Sequence, residues 1–324
     1  MFALISFLDF LAAEAQRFGY YFLWQHDMCD CQISEKEKTT MTRITRITAI
    51  LLIAMLMFSA SFCTAYADVP SGVEDGVLTV AMECAYAPYN WAQPDDSNGA
   101  VPLTGSVDLY ANGYDVMMAK KLCEANGWEL EVVQLDWDSL IPAVMSGTVD
   151  AVIAGQSMTA ERMEAVDFAG PYLYASIVCV TLQNSEFAAA TGKSQLSGGS
   201  ATSQIGTIWY DTCLPQIEGA QISTAAETAP AMLMALETGA VDFVCTDMPT
   251  AQGAVLAYPD MTILDFAGSE DDFEVSEEDI NIGISIMKGN TVLLDALNSV
   301  LSEMTADDFN ALMADAIAVQ PLGE

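Results

Sequence analysis

Histidine occurs once in the 324 residues, as His26, and basic side chains are scarce: ten lysines and arginines stand against forty-five acids, a net charge of −35. A field of that sign repels phosphate backbones and anionic lipid surfaces, which excludes nucleic-acid binding and polybasic membrane attachment. Of the ten, Arg17, Lys36, Lys38, Arg43 and Arg46 precede residue 68, leaving Lys120, Lys121, Arg162, Lys193 and Lys288 beyond it. No histidine remains there either. Imidazole is then unavailable as base, acid or ligand, and Ser-His-Asp catalysis, Cys-His catalysis and most zinc sites go with it. No catalytic residue, metal or cofactor is expected. Five cysteines also lie beyond residue 68: Cys84, Cys123, Cys179, Cys213 and Cys245. An odd, scattered set is no disulfide framework. One pair can still bridge, but Cys179 and Cys245, in apolar strand-like runs, read as buried free thiols.

What is present begins with an export signal. Residues 41–67 carry Arg43 and Arg46, an apolar run from Ile47 to Phe62, and the small-residue site Ala65-Tyr66-Ala67 before Asp68. A mature chain starting near Asp68 is expected, located outside the cytoplasm in the periplasm or at the cell surface. A lipid anchor at Cys63 is the less favoured alternative, because Phe62 stands where a small residue belongs. Residues 1–40 precede a complete signal and are expected to be untranslated or disordered, with Met41 the true start.

From Gly76 onward short apolar runs alternate with amphipathic ones, the pattern of an α/β protein. Strands are predicted at Val77–Ala81, Leu130–Leu135 and Ala151–Ala154, and helices at Tyr114–Asn126 and Ser139–Ser146. A long β run follows from Tyr172 to Leu182. Met145-Ser146-Gly147-Thr148-Val149-Asp150-Ala151-Val152 is echoed by Glu237-Thr238-Gly239-Ala240-Val241-Asp242-Phe243-Val244. Each is a helix end, a glycine stop and a buried strand, so two lobes of related construction are expected. The boundaries read from the chain are 68–182 with 280–324 for lobe 1 and 183–279 for lobe 2, joined by two hinge crossings. Strand Ile282–Met287 returns the chain to lobe 1, and a helix from near Thr291 turns Leu293, Leu297, Val300, Leu301 and Met304 to the core. Strands that end in Gly155, Gln156 and Ser157 on one side and Thr246 and Asp247 on the other point to a cleft, because open α/β sheets bind ligands outside their carboxyl ends.

Arg162 is the one arginine after the leader. A lone arginine is ordinarily a solvated ion-pair partner, here of Glu161 or Asp167. Its surroundings say more. The segments Val80 to Tyr89, Gly113-Tyr114-Asp115-Val116, Trp137 to Pro142, Ser157 to Arg162 with Val166-Asp167-Phe168, Pro171-Tyr172 and Asp247-Met248-Pro249 resemble, in order and spacing, the amino-acid-binding members of the bacterial extracellular solute-binding proteins, family 3. The resemblance covers Gly76 to the C-terminus. It implies a two-lobed periplasmic-binding-protein-like fold of type II that serves an ATP-driven importer. It also implies that Arg162, a planar two-point donor, clamps a ligand carboxylate with help from Ser157. By the same resemblance Asp247 and the Gly155 carbonyl take the α-ammonium, and Glu83, Tyr86 and Trp137 line the side-chain pocket. Two aromatics suit a flat amide or guanidinium, or an ammonium held by cation–π attraction of roughly 0.5–2 kcal/mol.

The chain also departs from that pattern. The loop that presents a glycine and a small hydroxyl to the carboxylate reads Gly206-Thr207-Ile208-Trp209-Tyr210-Asp211-Thr212, so Thr207 and Tyr210 are candidates on a bulky, acidic turn that begins a helix. Gln93 to Asp108, with Asp95, Asp96 and Asn98, lacks a calcium-loop spacing and reads as a solvated loop. The expectation is a monomeric, non-enzymatic binding protein for a free amino acid with a cationic or amide side chain, presented to a membrane permease. The alternative is an enzyme of the same fold, such as a dehydratase of a small carboxylic acid, with Glu83 and Asp247 as its acid and base.

Overall fold

The computed structural model describes Val73 and residues 75–321. The expected leader, 1–40 and 41–67 with Cys63, lies outside the described residues. The chain opens with β1 (Val77–Met82) and the short strands β2 (Ala85–Tyr86), β3 (Asn90–Gln93), β4 (Val101–Pro102) and β5 (Tyr110–Asn112). Helix α1 (Tyr114–Asn126), β6 (Glu129–Gln134), α2 (Leu140–Met145), β7 (Ala151–Val152), α3 (Ala160–Ala165) and β8 (Val166–Tyr174) follow. Next come β9 (Ile177–Leu182), β10 (Ser200–Thr202), β11 (Gln221–Ile222), α4 (Ala229–Glu237), β12 (Phe243–Asp247), α5 (Met248–Ala257), β13 (Met261–Leu264) and α6 (Glu277–Ile280). The chain closes through β14 (Asn281–Met287), α7 (Thr291–Leu301) and α8 (Ala306–Val319).

Two five-stranded sheets organise these elements, in the orders β6-β1-β7-β14-β8 and β11-β10-β12-β9-β13. In each, two parallel pairings are followed by two antiparallel ones, so only the fourth strand runs against the others. The echo between Met145–Val152 and Glu237–Val244 therefore marks matching places, since β7 and β12 are the third strands of the two sheets. Gly147 and Gly239 both stop a helix with φ of +71°, a conformation costly to any residue with a Cβ.

Apolar alternation set most elements correctly. Helix α1 ends at Gly127 in the left-handed conformation, as its sequence predicts. On α7, Leu293, Leu297 and Leu301 are buried and Val300 partly so, one turn apart on the core side. Three readings need correction. The run Tyr172–Leu182 is two strands in different sheets, with the change at Ala175-Ser176, because an apolar run carries no mark of which sheet each residue joins. The strand expected at Ala151–Ala154 is only Ala151–Val152, while the helix expected at Ser139–Ser146 is present as Leu140–Met145 after a 3-10 turn at Trp137–Ser139. Gln93 to Asp108 is not only loop: Val101–Pro102 pairs with β5 in a third, four-stranded sheet of order β2-β3-β5-β4.

Among the described residues no helix is long and apolar enough to cross a membrane.

Candidate functional site

The carboxyl ends of β1, β7, β10 and β12 bring the candidate residues together. Glu83 follows β1 and is buried, and its two carboxylate oxygens accept from Gln204 Nε2 at 3.2 and 3.1 Å. Gln204 follows β10 in the other sheet, so the contact joins the two halves across 121 positions of sequence. Burial pushes the Glu83 carboxyl up to about 7; the Gln204 hydrogen bond opposes this, and Asp136 and Asp138 reinforce it.

Asp247 closes β12 and caps α5, its Oδ1 accepting from the Thr250 backbone N–H at 2.8 Å. Tyr86 and Tyr89 stack with ring centroids 4.7 Å apart and planes at 14°, and both hydroxyls donate to Asp247 Oδ2 at 2.9 Å. Burial raises the Asp247 carboxyl above its ordinary value, against the lowering effect of Thr250 and the two phenols. Gly155 makes this stack possible. At its φ of +64°, a Cβ would stand 2.8 Å from Tyr86 Cε1 and 3.1 Å from Tyr89 Cδ1.

A third buried acid, Asp115, supports the pair through Gly155. Asp115, on α1, accepts from Asn90 Nδ2 and from the Tyr172 hydroxyl, both at 2.7 Å. The Tyr172 oxygen in turn accepts the Gly155 N–H at 3.0 Å. Burial lifts Asp115 to about 7 in spite of these donors. Gly155 is thus held by its amide, leaving its conformation to the Tyr172–Asp115–Asn90 chain.

Arg162 projects from the short helix α3, which Thr159 caps. Its Nη1 donates to the Ser157 carbonyl at 2.9 Å and its Nη2 to the Gly206 carbonyl, from the other half, at 3.0 Å. The guanidinium lies over the Trp137 ring, 5.5 Å from its centroid. The side chain keeps some contact with solvent, yet the crowding of protein around it lowers its pKa to about 10, which Glu161 partly offsets. It stays charged at any physiological pH. Two hydrogen bonds leave the remaining N–H donors of the fork available to an acceptor. Of the two ordinary ion-pair candidates, Glu161 acts on Arg162 through its charge, while Asp167 accepts the Gly289 N–H at 2.7 Å.

The structure therefore joins Glu83, Tyr86, Trp137, Gly155, Ser157, Arg162 and Asp247 in one region. Thr207 lies at its edge, buried, with its hydroxyl given to the Gln204 carbonyl at 2.7 Å. Tyr210 faces elsewhere, its hydroxyl donating to Ser223 O at 2.9 Å. The loop does start a helical turn, Trp209–Cys213, but of the wide π type and five residues long. Sequence reasoning missed four participants: Tyr89, Gln204, Trp209 and the Gly206 carbonyl. Trp209 stands 6.3 Å from the Tyr86 ring, and its buried Nε1 has no hydrogen-bond partner among the described residues. Tyr89 lies in the Val80 to Tyr89 segment and Gly206 and Trp209 in the loop from Gly206 to Thr212, so only Gln204 carried no signal.

A surface hollow of about 590 Å³ between Leu182–Asn184 and Tyr258–Met261 contains none of these groups. It carries Glu237 and Asp260 and no cationic side chain that could hold a carboxylate, so the chemistry points to the interior region instead. Among the described residues no cluster of three His, Cys, Asp or Glu is placed to hold a metal ion.

The chain is similar to known proteins. The model of the family described as "Bacterial extracellular solute-binding proteins, family 3" matches residues 78–315. A probable histidine-binding protein of Campylobacter jejuni is 28% identical over 184 residues, which span 57% of this chain and 65% of that relative, just under two thirds of its length. The L-cystine-binding protein TcyJ of Escherichia coli is 26% identical over 234 residues, 72% of this chain and 79% of its own. Among solved structures, the arginine-bound form of truncated ArgBP from T. maritima superposes with a TM-score of 0.58 at 28% identity, covering 72% of this chain and 98% of that one. The two matched sheets are those of the type II periplasmic-binding-protein fold.

Proposed function

Because the chain belongs to the bacterial extracellular solute-binding proteins, family 3, we propose that it is the extracytoplasmic receptor of an ABC importer and binds a free amino acid between two lobes. The lobes are built on the two sheets and meet at the changes of sheet near Ala175-Ser176 and Asn281. Arg162 with Ser157 takes the ligand carboxylate and Asp247 with the Gly155 carbonyl takes the ammonium. Glu83, Tyr86 and Trp137 receive a cationic or amide side chain. The observation that carries this reading is that Arg162 and Asp247 come from opposite sheets, so only a molecule with both charges at the right separation bridges the halves and stabilises their closure. Names of relatives that bind histidine, cystine and arginine support a polar side chain. The closed monomer is then presented to a membrane permease.

A thermal-shift screen of the refolded chain from Asp68 against the common amino acids and ornithine tests this. Ligand at about 100 times its Kd adds roughly 2.7 kcal/mol, a rise of several degrees in the midpoint for a chain of this size. Arginine, lysine, ornithine, histidine or glutamine is expected to give that rise. A shift only with acidic or apolar amino acids would discard the Glu83 pocket and keep the receptor. Proton NMR of the bound amino acid is expected to show no conversion over hours; turnover would favour the dehydratase reading.

A further inference from the structure

Three of the five thiols, Cys179, Cys213 and Cys245, are fully buried in the second half of the molecule and free in the structure, as the sequence predicts for Cys179 and Cys245. Cys179 and Cys213 both neighbour the Cys245 thiol. Two of them are also strand partners. On the antiparallel pair β9 and β12, Cys179 stands directly opposite Cys245, with no shift of register along the ladder. Just past the end of that ladder Met248 N donates to Ser176 O at 2.9 Å, which makes Met248 and Ser176 a hydrogen-bonded pair. Such pairs alternate with non-hydrogen-bonded ones. Counting back through Asp247–Ile177 and Thr246–Val178, Cys245–Cys179 is a non-hydrogen-bonded pair.

That register matters for chemistry. Directly opposite residues in a non-hydrogen-bonded pair have Cα atoms about 4.5 Å apart with their side chains on one face, inside the window of about 4.4 to 6.8 Å that a disulfide spans. Cys213 reaches the cluster from the π turn and has no strand register to set its Cα opposite either partner.

We infer that Cys179 and Cys245 are a disulfide-forming pair, oxidised as the chain folds in an oxidising compartment, with Cys213 remaining a free thiol beside the bond. The inference rests on the export proposed above only for where the oxidant is met. Oxidation removes two protons and two electrons. One thiolate attacks an incoming disulfide, of a dithiol oxidase or of oxidised glutathione, and releases its reduced half. The second thiolate then displaces the carrier sulfur from the mixed disulfide, leaving S–S and a second reduced thiol. The reaction belongs to folding, before burial: once packed, Cys245 is desolvated and its pKa driven up, so its thiol exchanges slowly. The bond would tie β9, the first strand after the change of sheet, to β12, the strand that ends in Asp247.

The chain is refolded in a glutathione redox buffer, alkylated under denaturing conditions without reductant, and mapped by peptide mass spectrometry. The expected result is a peptide pair joining Cys179 to Cys245, with Cys84, Cys123 and Cys213 alkylated. The Cys213→Ser variant is expected to keep the link. Reduction of the native protein is expected to lower its thermal midpoint by roughly 5–10 °C. Alkylation of all five cysteines, or a bond that includes Cys213, would overturn the assignment. Cell fractionation separates this from the export reading: a chain found in the cytoplasm would sink that reading, while the link in refolded protein would stand.

Discussion

Replacing Arg162 by alanine should abolish amino-acid binding while the fold survives. The guanidinium is positioned by Ser157 O at 2.9 Å, Gly206 O at 3.0 Å and the Trp137 face at 5.5 Å. A ligand carboxylate that loses it is left desolvated without its counter-charge, at a cost of about 3–5 kcal/mol. At about 1.4 kcal/mol per factor of ten, that is a loss of roughly 150- to 4,000-fold in affinity. The structural cost is smaller. Two carbonyls lose a donor, but the Gly206 contact is solvent-accessible and water can replace it, so a total of about 1–2 kcal/mol is expected. That lowers the midpoint by several degrees and leaves the circular dichroism spectrum unchanged. Arg162→Lys keeps the charge but cannot span both carbonyls and a carboxylate, so it should recover only part of the loss. Isothermal titration calorimetry measures both variants. An Arg162→Ala protein that is folded and binds within tenfold of the wild type would refute the carboxylate assignment.

Three further outcomes follow from the same geometry. Affinity for a cationic amino acid should fall as pH drops below about 7, approaching tenfold per unit, because Glu83 is held near 7 and only its ionised form pairs with the cation; Glu83→Gln should flatten that profile in calorimetry. Asp247→Asn keeps an acceptor for the Thr250 N–H, so helix α5 should stay capped and the protein folded, while affinity falls at least a hundredfold with the ammonium's counter-charge gone. Gly155→Ala places a Cβ 2.8 Å from Tyr86 Cε1 at a positive φ, and should lower the thermal midpoint by roughly 5–10 °C and disturb the Tyr86–Tyr89 stack, seen as a change in near-ultraviolet dichroism.

Much of this molecule is legible in its sequence because burial imposes local periods. Leu293, Leu297 and Leu301 announce α7, and Gly127, Gly147 and Gly239 announce helix stops, since each effect acts within one or two turns. Arg162 stands out only through the family resemblance of its segment, whereas Ser157, Gly155 and Asp247 are legible for another reason: they lie where strands run out into polar residues. Gln204 is not. Its partner Glu83 is 121 positions away, and an amide between Ser203 and Ile205 carries no spacing that points across a cleft. Tyr89 illustrates a subtler limit. Its ring is readable as packing, but the hydroxyl at Asp247 exists only because Gly155 admits the stack and β12 ends opposite it. Tyr210 fails in the reverse sense, for the width of its turn sends the hydroxyl to Ser223. The change of sheet at Ala175-Ser176 is hidden by an apolar run equally suited to either sheet.

The central claim is that one amino acid is held by its carboxylate on Arg162 and its ammonium on Asp247, contributed by opposite halves. The most direct test is calorimetric titration with three compounds: the amino acid giving the largest thermal shift, its α-carboxamide, and its deamino analogue. Each analogue keeps the side chain and removes one charge. The account predicts that both bind at least a hundredfold more weakly than the parent. An analogue that binds within tenfold would contradict the assignment of the group it lacks.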